Sequence, residues 1–147
     1  MSTDEWCTPR WLARELGTWS LDPCGNADSH IESDRRFGLD LGIDGLETPW
    51  TGSVFVNPPY SNPLPWCQRL AAHNGPWCAL LKLDPSTKWW AALMEATPTI
   101  APFRKRLKFE GTVAMTANFP SVLIYSAWRP NPALAQHLWL PTYARPA

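Results

Sequence analysis

The stretch VFVNPPYSNP, residues 54–63, joins a hydrophobic run to residues that can hold an amino group attached to a planar ring. The Asn57 side-chain carbonyl is a hydrogen-bond acceptor, and so is the Pro58 backbone carbonyl, which has no ladder partner. Pro59 stiffens both acceptors, and Tyr60 offers a flat face for stacking. An amino nitrogen held in this way loses conjugation with its ring and becomes a better nucleophile toward an electrophilic methyl group. The alternative is a plain strand exit with a surface tyrosine.

A second polar turn, LDPCGN at residues 21–26, follows a short run of strand formers. Its Asp22 can bind an ammonium group, and Gly25 permits a ligand to approach the backbone closely. Asp-Pro and Gly-Asn pairs are also ordinary turns. In open α/β sheets, ligands bind beyond the carboxyl ends of the strands. If the two strands are neighbours, we expect Asp22 and Asn57 to line the same crevice.

Helix signals accompany these turns. Thr8 is a candidate N-cap with Pro9 at the first helical position, and Gly17 ends the predicted helix. Trp89 and Trp90 lie near the start of the helix predicted within residues 87–96, either as a base-stacking platform or as one core residue plus one exposed ring. The further predicted helices lie within residues 63–73, 87–96 and 131–138.

The strand signals complete the fold prediction. WCALLKL at residues 77–83 is continuously apolar, as expected of a buried parallel strand. RLKFEG and SVLIYSAW are predicted to form a closing antiparallel pair. Alternating strands and helices indicate an α/β sheet wound with right-handed crossovers. We expect one domain over residues 1–147, with a core at about 6–128 and a short C-terminal extension at 129–147. The other predicted strands lie at residues 19–21, 53–56 and 99–103.

Composition limits the possible classes of protein. The chain has 147 residues, 45% of them hydrophobic and ten of them Trp, which argues against disorder. The formal charge is zero, so global charge gives no attraction to nucleic acid or membranes. The acidic N-terminus and the lack of an apolar run of about 20 residues predict a cytoplasmic protein without a membrane partner. The scattered cysteines predict reduced thiols and no metal site: Cys7, Cys24, Cys67 and Cys78.

One segment is strongly basic. RKRLK, residues 104–108, places four positive charges in five positions. Phosphate neutralisation supplies most non-specific DNA affinity, so this segment is the candidate for nucleic-acid contact. Solvated surface charge is the alternative. The four candidate residues are Arg104, Lys105, Arg106 and Lys108.

The sequence resembles the small phage and prophage Dam-type DNA N6-adenine methyltransferases. The resemblance runs from WCTP at residues 6–9 to FPSVLIY at 119–125, and its elements occur in order. Besides the Thr8-Pro9 start, LDPCGN and NPPYS, they are DGL at 44–46, Trp50, Thr87-x-Trp89, RLKF at 106–109 and FPS at 119–121. The resemblance implies a Rossmann-like sheet that uses S-adenosylmethionine, a DNA substrate and a phage or prophage origin in a bacterial host.

The resemblance also implies roles for matching residues. The target adenine, extruded from the DNA stack, would be clamped by Asn57, Pro58, Pro59 and Tyr60. The cofactor would be bound by Thr8, Pro9, Asp22, Pro23, Cys24, Gly25 and Asp44. Only 27 residues separate Gly25 from Ser53, enough for about one crossover unit where such sheets have two strands. Asp34 and Asp40 therefore compete with Asp44 as the carboxylate that contacts the adenosine part of the cofactor.

Departures from the family pattern keep other functions open. LDPCGN lacks the fuller glycine-rich loop of larger relatives, and Lys105 stands where the family often has Gly. The alternatives are the same chemistry on RNA adenine or protein glutamine, or a catalytically degenerate module that binds nucleic acid. From a chain of 147 residues we expect no separate target-recognition domain. Sequence readout is thus expected from loops such as 110–120 or from a partner subunit.

Overall fold

The computed structural model of the chain describes residues 7–109 and 115–140. The helices are α1 Arg10–Leu16, α2 Leu64–Ala71, α3 Lys88–Met94 and α4 Pro132–Ala135, with a 3₁₀ turn at Leu39–Leu41. The strands are β1 Thr18–Asp22, β2 Glu32–Arg36, β3 Val54–Val56, β4 Trp77–Lys82, β5 Thr99–Pro102, β6 Lys108–Phe109, β7 Met115–Thr116 and β8 Ser121–Ser126.

Six of these strands form one mixed sheet in the order β2-β1-β3-β4-β8-β5. The first four are parallel to one another, whereas β8 runs antiparallel to both β4 and β5. β1 and β3 are direct neighbours through the pair Leu21 and Val54. The carboxyl ends of the parallel strands therefore lie at one edge of the sheet, as the sequence predicts for its two polar turns.

Helices cover the sheet on both faces. Phe55 and Leu80 belong to the core cluster that includes Leu12 of α1 and Leu134 of α4. The opposite cluster joins Val54 and Val56 of β3 to residues of α2 and α3, such as Leu70 and Leu93. Burial on both faces explains why β3 and β4 are continuously apolar rather than alternating.

The start of α1 differs from the prediction. The helix begins at Arg10, Pro9 is its N-cap residue, and no side chain caps it. The prediction of Thr8 as N-cap is therefore wrong; its hydroxyl instead accepts a hydrogen bond from the Asn57 side chain. Gly17, with φ at 77°, ends the helix as predicted.

The predicted antiparallel pairing of RLKFEG with SVLIYSAW is also wrong. β6 pairs with β7, as Phe109 opposite Met115 shows. β8 instead lies between β4 and β5, with Lys82 opposite Ser121 and Pro102 opposite Val122. The physical reason is burial: the five residues Ser121 to Tyr125 of β8 are buried, and a central place in the sheet covers both faces of the strand.

β2 is an additional strand that the sequence pattern does not indicate. Its residues ESDRR are mostly exposed and carry four charges, and it is the edge strand beside β1. Charged residues are common on sheet edges because they discourage pairing with another chain. Residues 37–53 then lead to β3 through the 3₁₀ turn rather than a regular α-helix, which agrees with the short interval noted in the sequence.

The segment predicted as a C-terminal extension contributes to the core. Leu134 and Leu138 are buried, and Leu138 forms a β-bridge with Phe103 beside the sheet edge at β5. Trp90 is likewise buried in the core, with Trp89 half-buried beside it, which favours the core interpretation of this pair. Across residues 7–109 and 115–140, no helix has the length and apolar character needed to span a membrane.

Candidate active site

A cleft of about 1500 Å³ opens at the carboxyl ends of β1 and β3. It brings together side chains from segments far apart in the sequence, as expected for Asp22 and Asn57. Neither Pro58 nor Tyr60 belongs to its described lining. The predicted site residues that line it are Thr8, Asp22, Pro23, Cys24, Gly25, Asp44, Asn57 and Pro59.

The Asn57 side chain is oriented by the start of α1. Its Nδ2 donates a hydrogen bond to Thr8 Oγ1 at 3.2 Å, and Thr8 is buried. The contact uses the nitrogen end of the amide, so the oxygen end is the one that can accept a hydrogen bond from a substrate. Asn57 itself follows β3 directly and is half-buried at the cleft.

The two prolines fix the backbone after Asn57. Pro58 is buried, and among the described residues no backbone N–H donates to its carbonyl. The Pro59 carbonyl accepts from the Asn62 N–H at 3.1 Å and closes a turn. Because β3 ends at Val56, the Pro58 carbonyl lies outside the ladder, as the sequence predicts.

Tyr60 is held in an aromatic cluster beside the cleft. Its hydroxyl donates to the Leu80 carbonyl of β4 at 3.2 Å, and burial raises the pKa of this phenol. Its ring meets Phe109 and Phe119 edge-on, with centroids 6.3 Å and 5.6 Å away. These phenylalanines belong to the RLKF and FPS elements, so three separate motifs meet at this residue.

Asp22 is a buried carboxylate with internal partners. Its Oδ2 accepts from Ser29 Oγ at 3.0 Å and from Arg36 Nε at 3.2 Å. Burial raises the pKa of Asp22, and the hydrogen bonds from Ser29 and Arg36 oppose that rise. Sequence reasoning missed both partners: Arg36 reaches Asp22 only because β2 lies beside β1, where the two residues are paired.

Gly25 is required by packing within the turn. A Cβ there would lie 2.7 Å from Asp22 Oδ2 and 2.8 Å from Arg36 Cγ. The Gly25 N–H donates to the Phe37 carbonyl at 2.9 Å. The close approach expected at this glycine therefore occurs toward the protein's own Asp22–Arg36 pair, and its amide is engaged within the fold.

The three candidate acidic residues are separated by the structure. Asp34 is exposed on β2 and is not part of the described cleft lining, whereas Asp40 and Asp44 both line the cleft. Asp40 Oδ2 accepts from the Ala27 N–H at 3.0 Å, and Asp44 Oδ1 accepts from the Leu46 N–H at 2.9 Å. Asp40 and Asp44 remain the two carboxylates positioned to meet a ligand.

The basic segment at residues 104–108 lies partly against the C-terminal segment. Arg104 donates from Nε to the Leu138 carbonyl at 3.1 Å, and its guanidinium lies 3.9 Å from the Trp139 ring centroid. Like Arg104, Lys105, Arg106 and Lys108 are exposed. All four predicted cations are therefore exposed, and Arg104 also contacts the C-terminal segment.

These features define an α/β protein with a cleft at the carboxyl ends of parallel strands, the place where open α/β sheets bind ligands. The chain belongs to the DNA N-6-adenine-methyltransferase (Dam) family, which matches residues 1–127. It is 34% identical over 97 residues to a DNA N-6-adenine-methyltransferase of Haemophilus phage HP1 (strain HP1c1). That match covers 59% of this chain and 54% of the relative, so the chain spans about half the length of the phage protein. The family predicted from the ordered motifs is confirmed.

Proposed function

We propose that this chain transfers a methyl group from S-adenosylmethionine to the N6 amino group of adenine in DNA. The observation that carries the proposal is the position of Asn57, at the end of a buried parallel strand and in the same cleft as the buried Asp22 carboxylate. Family membership and the phage relative support the reaction class. As a phage or prophage enzyme, it would act in the cytoplasm of a bacterial host.

The proposed architecture is a compact Rossmann-like methyltransferase sheet in one domain. The parallel order of β2, β1, β3 and β4 supports it, as does the antiparallel β8 between β4 and β5. In this proposal β2 is the single strand between β1 and β3 in the sequence, where such methyltransferase sheets have two strands. The helices on both faces supply the usual two-sided cover.

The cleft residues fit S-adenosylmethionine. A buried carboxylate at Asp22 suits the ammonium group of the methionine part, and Asp40 or Asp44 suits the hydroxyls of the ribose. Thr8, Pro9, Pro23, Cys24 and Gly25 would surround the methionine side. When bound, the cofactor supplies a methyl group on a positively charged sulfur.

The remaining chemistry belongs to residues of the NPPY motif. The Asn57 side-chain oxygen and the Pro58 carbonyl accept the two amino hydrogens, and Tyr60 provides the stacking partner for the extruded adenine. Asn57 and Pro58 would hold the amino nitrogen for attack, the cofactor would supply the electrophilic methyl group, and the extra proton of the methylated nitrogen would leave to water. No strong general base is needed, because the attacking amine is neutral.

Methyl transfer from labelled S-adenosylmethionine tests the proposal directly. Adenine-containing DNA, RNA and a glutamine-bearing protein are offered in parallel, and label is expected in DNA as N6-methyladenine. Asn57→Ala should lower turnover by roughly a hundredfold or more, the scale for removing one preorganised hydrogen-bonding group. Cofactor binding and the fold should be retained. Cofactor binding without transfer to any DNA would overturn the proposal.

A further inference from the structure

Lys82 occupies a position beside the proposed adenine clamp that the proposed reaction leaves unexplained. It is the last residue of β4, three positions beyond Ala79, which pairs with Val56 of the neighbouring β3. The side chain is half-buried. Its Nζ lies 4.6 Å from the Phe119 ring centroid and 5.7 Å from that of Tyr60. A cation is therefore fixed over the aromatic cluster that holds Tyr60.

Within residues 7–109 and 115–140, no acidic side chain forms an ion pair with Lys82. Among the described residues, the only carboxylate within salt-bridge distance of a cation is Asp22, which pairs with Arg36. In this part of the chain, the buried side-chain atoms without a hydrogen-bond partner do not include Lys82 Nζ, so this half-buried lysine keeps its ammonium group accessible to a ligand. The rings of Phe119 and Tyr60 attract the ammonium group but do not neutralise its charge.

A second polar group on the same face lacks an internal partner. Ser121 is opposite Lys82 in the antiparallel ladder, so the two side chains project from the same side of the sheet. Ser121 is 1% exposed, and its Oγ has no hydrogen-bond partner among the described residues. Buried polar groups without partners are uncommon in native proteins. Within the part of the chain that the structure describes, a buried hydroxyl without a hydrogen-bond partner therefore lies beside a half-buried cation without a carboxylate partner.

From this arrangement we infer that Lys82 binds a phosphodiester group of the strand that carries the target adenine. This inference rests on the proposed function. A base stacked on Tyr60 brings its own backbone phosphates near the same cluster, and an ammonium group binds phosphate as a point charge without reading sequence. Lys82 then anchors the extruded nucleotide at the site itself, apart from the exposed cations of residues 105–108.

The test compares DNA binding by wild type and three variants of the full chain over a series of salt concentrations. Lys82→Met keeps the apolar stem over Phe119 and removes the charge, whereas Lys82→Arg keeps the charge. Arg14→Met is the matched control, since Arg14 is exposed toward the far end of α1. Dissociation constants for DNA and for S-adenosylmethionine are measured for each protein, together with thermal unfolding.

Lys82→Met is expected to reduce the slope of log affinity against log salt by about one for DNA that carries the target adenine. Lys82→Arg should restore the slope, Arg14→Met should leave it unchanged, and cofactor affinity should stay at the wild-type value. An unchanged slope in Lys82→Met, in a wild type that methylates DNA, would overturn this inference alone. A wild type that neither binds nor methylates DNA would overturn the proposed function as well.

Discussion

The Asn57 amide takes its orientation from a hydroxyl that lies 49 positions earlier in the chain. Thr8→Val keeps the shape of the side chain and removes this hydrogen bond. We expect turnover to fall by about tenfold, because a net hydrogen bond is worth roughly 1 kcal/mol and small misplacements of a reacting group are costly. Single-turnover kinetics measures the loss, and calorimetry measures cofactor affinity.

The same pair of measurements separates two roles for Thr8. An orienting role predicts lower turnover with unchanged cofactor affinity. Weaker cofactor binding with normal single-turnover rates would instead assign Thr8 to the cofactor, as the family resemblance implies. Thr18→Val is a suitable control, since Thr18 is exposed at the start of β1, away from the cleft.

Replacement of the buried Asp22 is expected to have opposite effects on the stability of the fold and on cofactor binding. Burial raises the pKa of this carboxyl above its ordinary value. The pKa of Asp22 is thus higher in the folded state than in the unfolded state. At a pH above the folded-state pKa, the ionised carboxylate lowers the free energy of unfolding. This destabilisation disappears as the pH falls through the folded-state pKa and the carboxyl becomes protonated. Asp22→Asn should therefore gain more stability relative to wild type at neutral pH than near pH 4, the ordinary aspartate range.

Cofactor binding by Asp22→Asn should move in the opposite direction. Loss of a charged hydrogen-bond partner, worth about 1.5–3 kcal/mol, should weaken S-adenosylmethionine binding by at least tenfold. Urea unfolding at the two pH values measures the change in stability, and calorimetry measures the affinity for S-adenosylmethionine. Asp34→Asn, an exposed position outside the described cleft lining, serves as the matched variant. Equal cofactor affinity in Asp22→Asn and wild type would contradict a direct role.

At the scale of elements, Arg69 of α2 holds the loop that carries Asp44 through hydrogen bonds. Its Nη1 donates to the carbonyls of Gly45 at 2.7 Å and Thr48 at 2.9 Å, and its guanidinium lies 4.3 Å from the Trp50 ring centroid. Gly45 in turn packs against the turn at Pro23, where a Cβ would lie 1.9 Å from the Pro23 carbonyl oxygen. The loop therefore joins α2 to one wall of the cleft.

Arg69→Met removes both hydrogen bonds and keeps the apolar stem. We expect a loss of about 1–3 kcal/mol in unfolding free energy, since two backbone carbonyls lose a charged donor. The KM for S-adenosylmethionine should rise more than kcat falls. Arg69→Lys should recover only part of the lost stability and cofactor affinity, because lysine cannot reproduce a planar donor group stacked on an indole. Gln68→Met, exposed on the same helix, should match wild type.

Sequence alone predicts the elements whose signals are local. The apolar runs of β3 and β4 and the helical segments at α2 and α3 follow from patterning within about ten residues. The meeting of Asp22 and Asn57 also follows, because parallel strands end at one edge of a sheet. These predictions require no knowledge of distant contacts.

Other features depend on contacts between distant segments and have no local signal. β2 is a charged edge strand, which periodicity does not distinguish from a loop. Burial on both faces decides the place of β8 between β4 and β5. The sequence pattern instead predicted that β8 pairs with RLKFEG, the strand-like segment before it in the chain. Arg36 as partner of Asp22, and Thr8 as partner of Asn57, become visible only when the strands are assembled.

On the scale of the whole molecule, the formal charge is zero, so attraction to DNA must come from local groups. Arg104, Lys105, Arg106 and Lys108 are all exposed, and Arg104 also contacts Leu138 and Trp139. The four cations of this segment therefore predict two different kinds of effect when they are removed.

Replacing Lys105, Arg106 and Lys108 by Ala should reduce the salt slope of DNA binding by up to about three, close to one for each phosphate that is no longer neutralised. Stability should change little, since exposed substitutions usually fall within about 0.5 kcal/mol. Arg104→Ala should show the reverse, a lower unfolding temperature with a nearly unchanged slope. A triple variant that binds DNA with the wild-type slope would identify these charges as solvated surface groups, and DNA attraction would then rest on cations nearer the cleft.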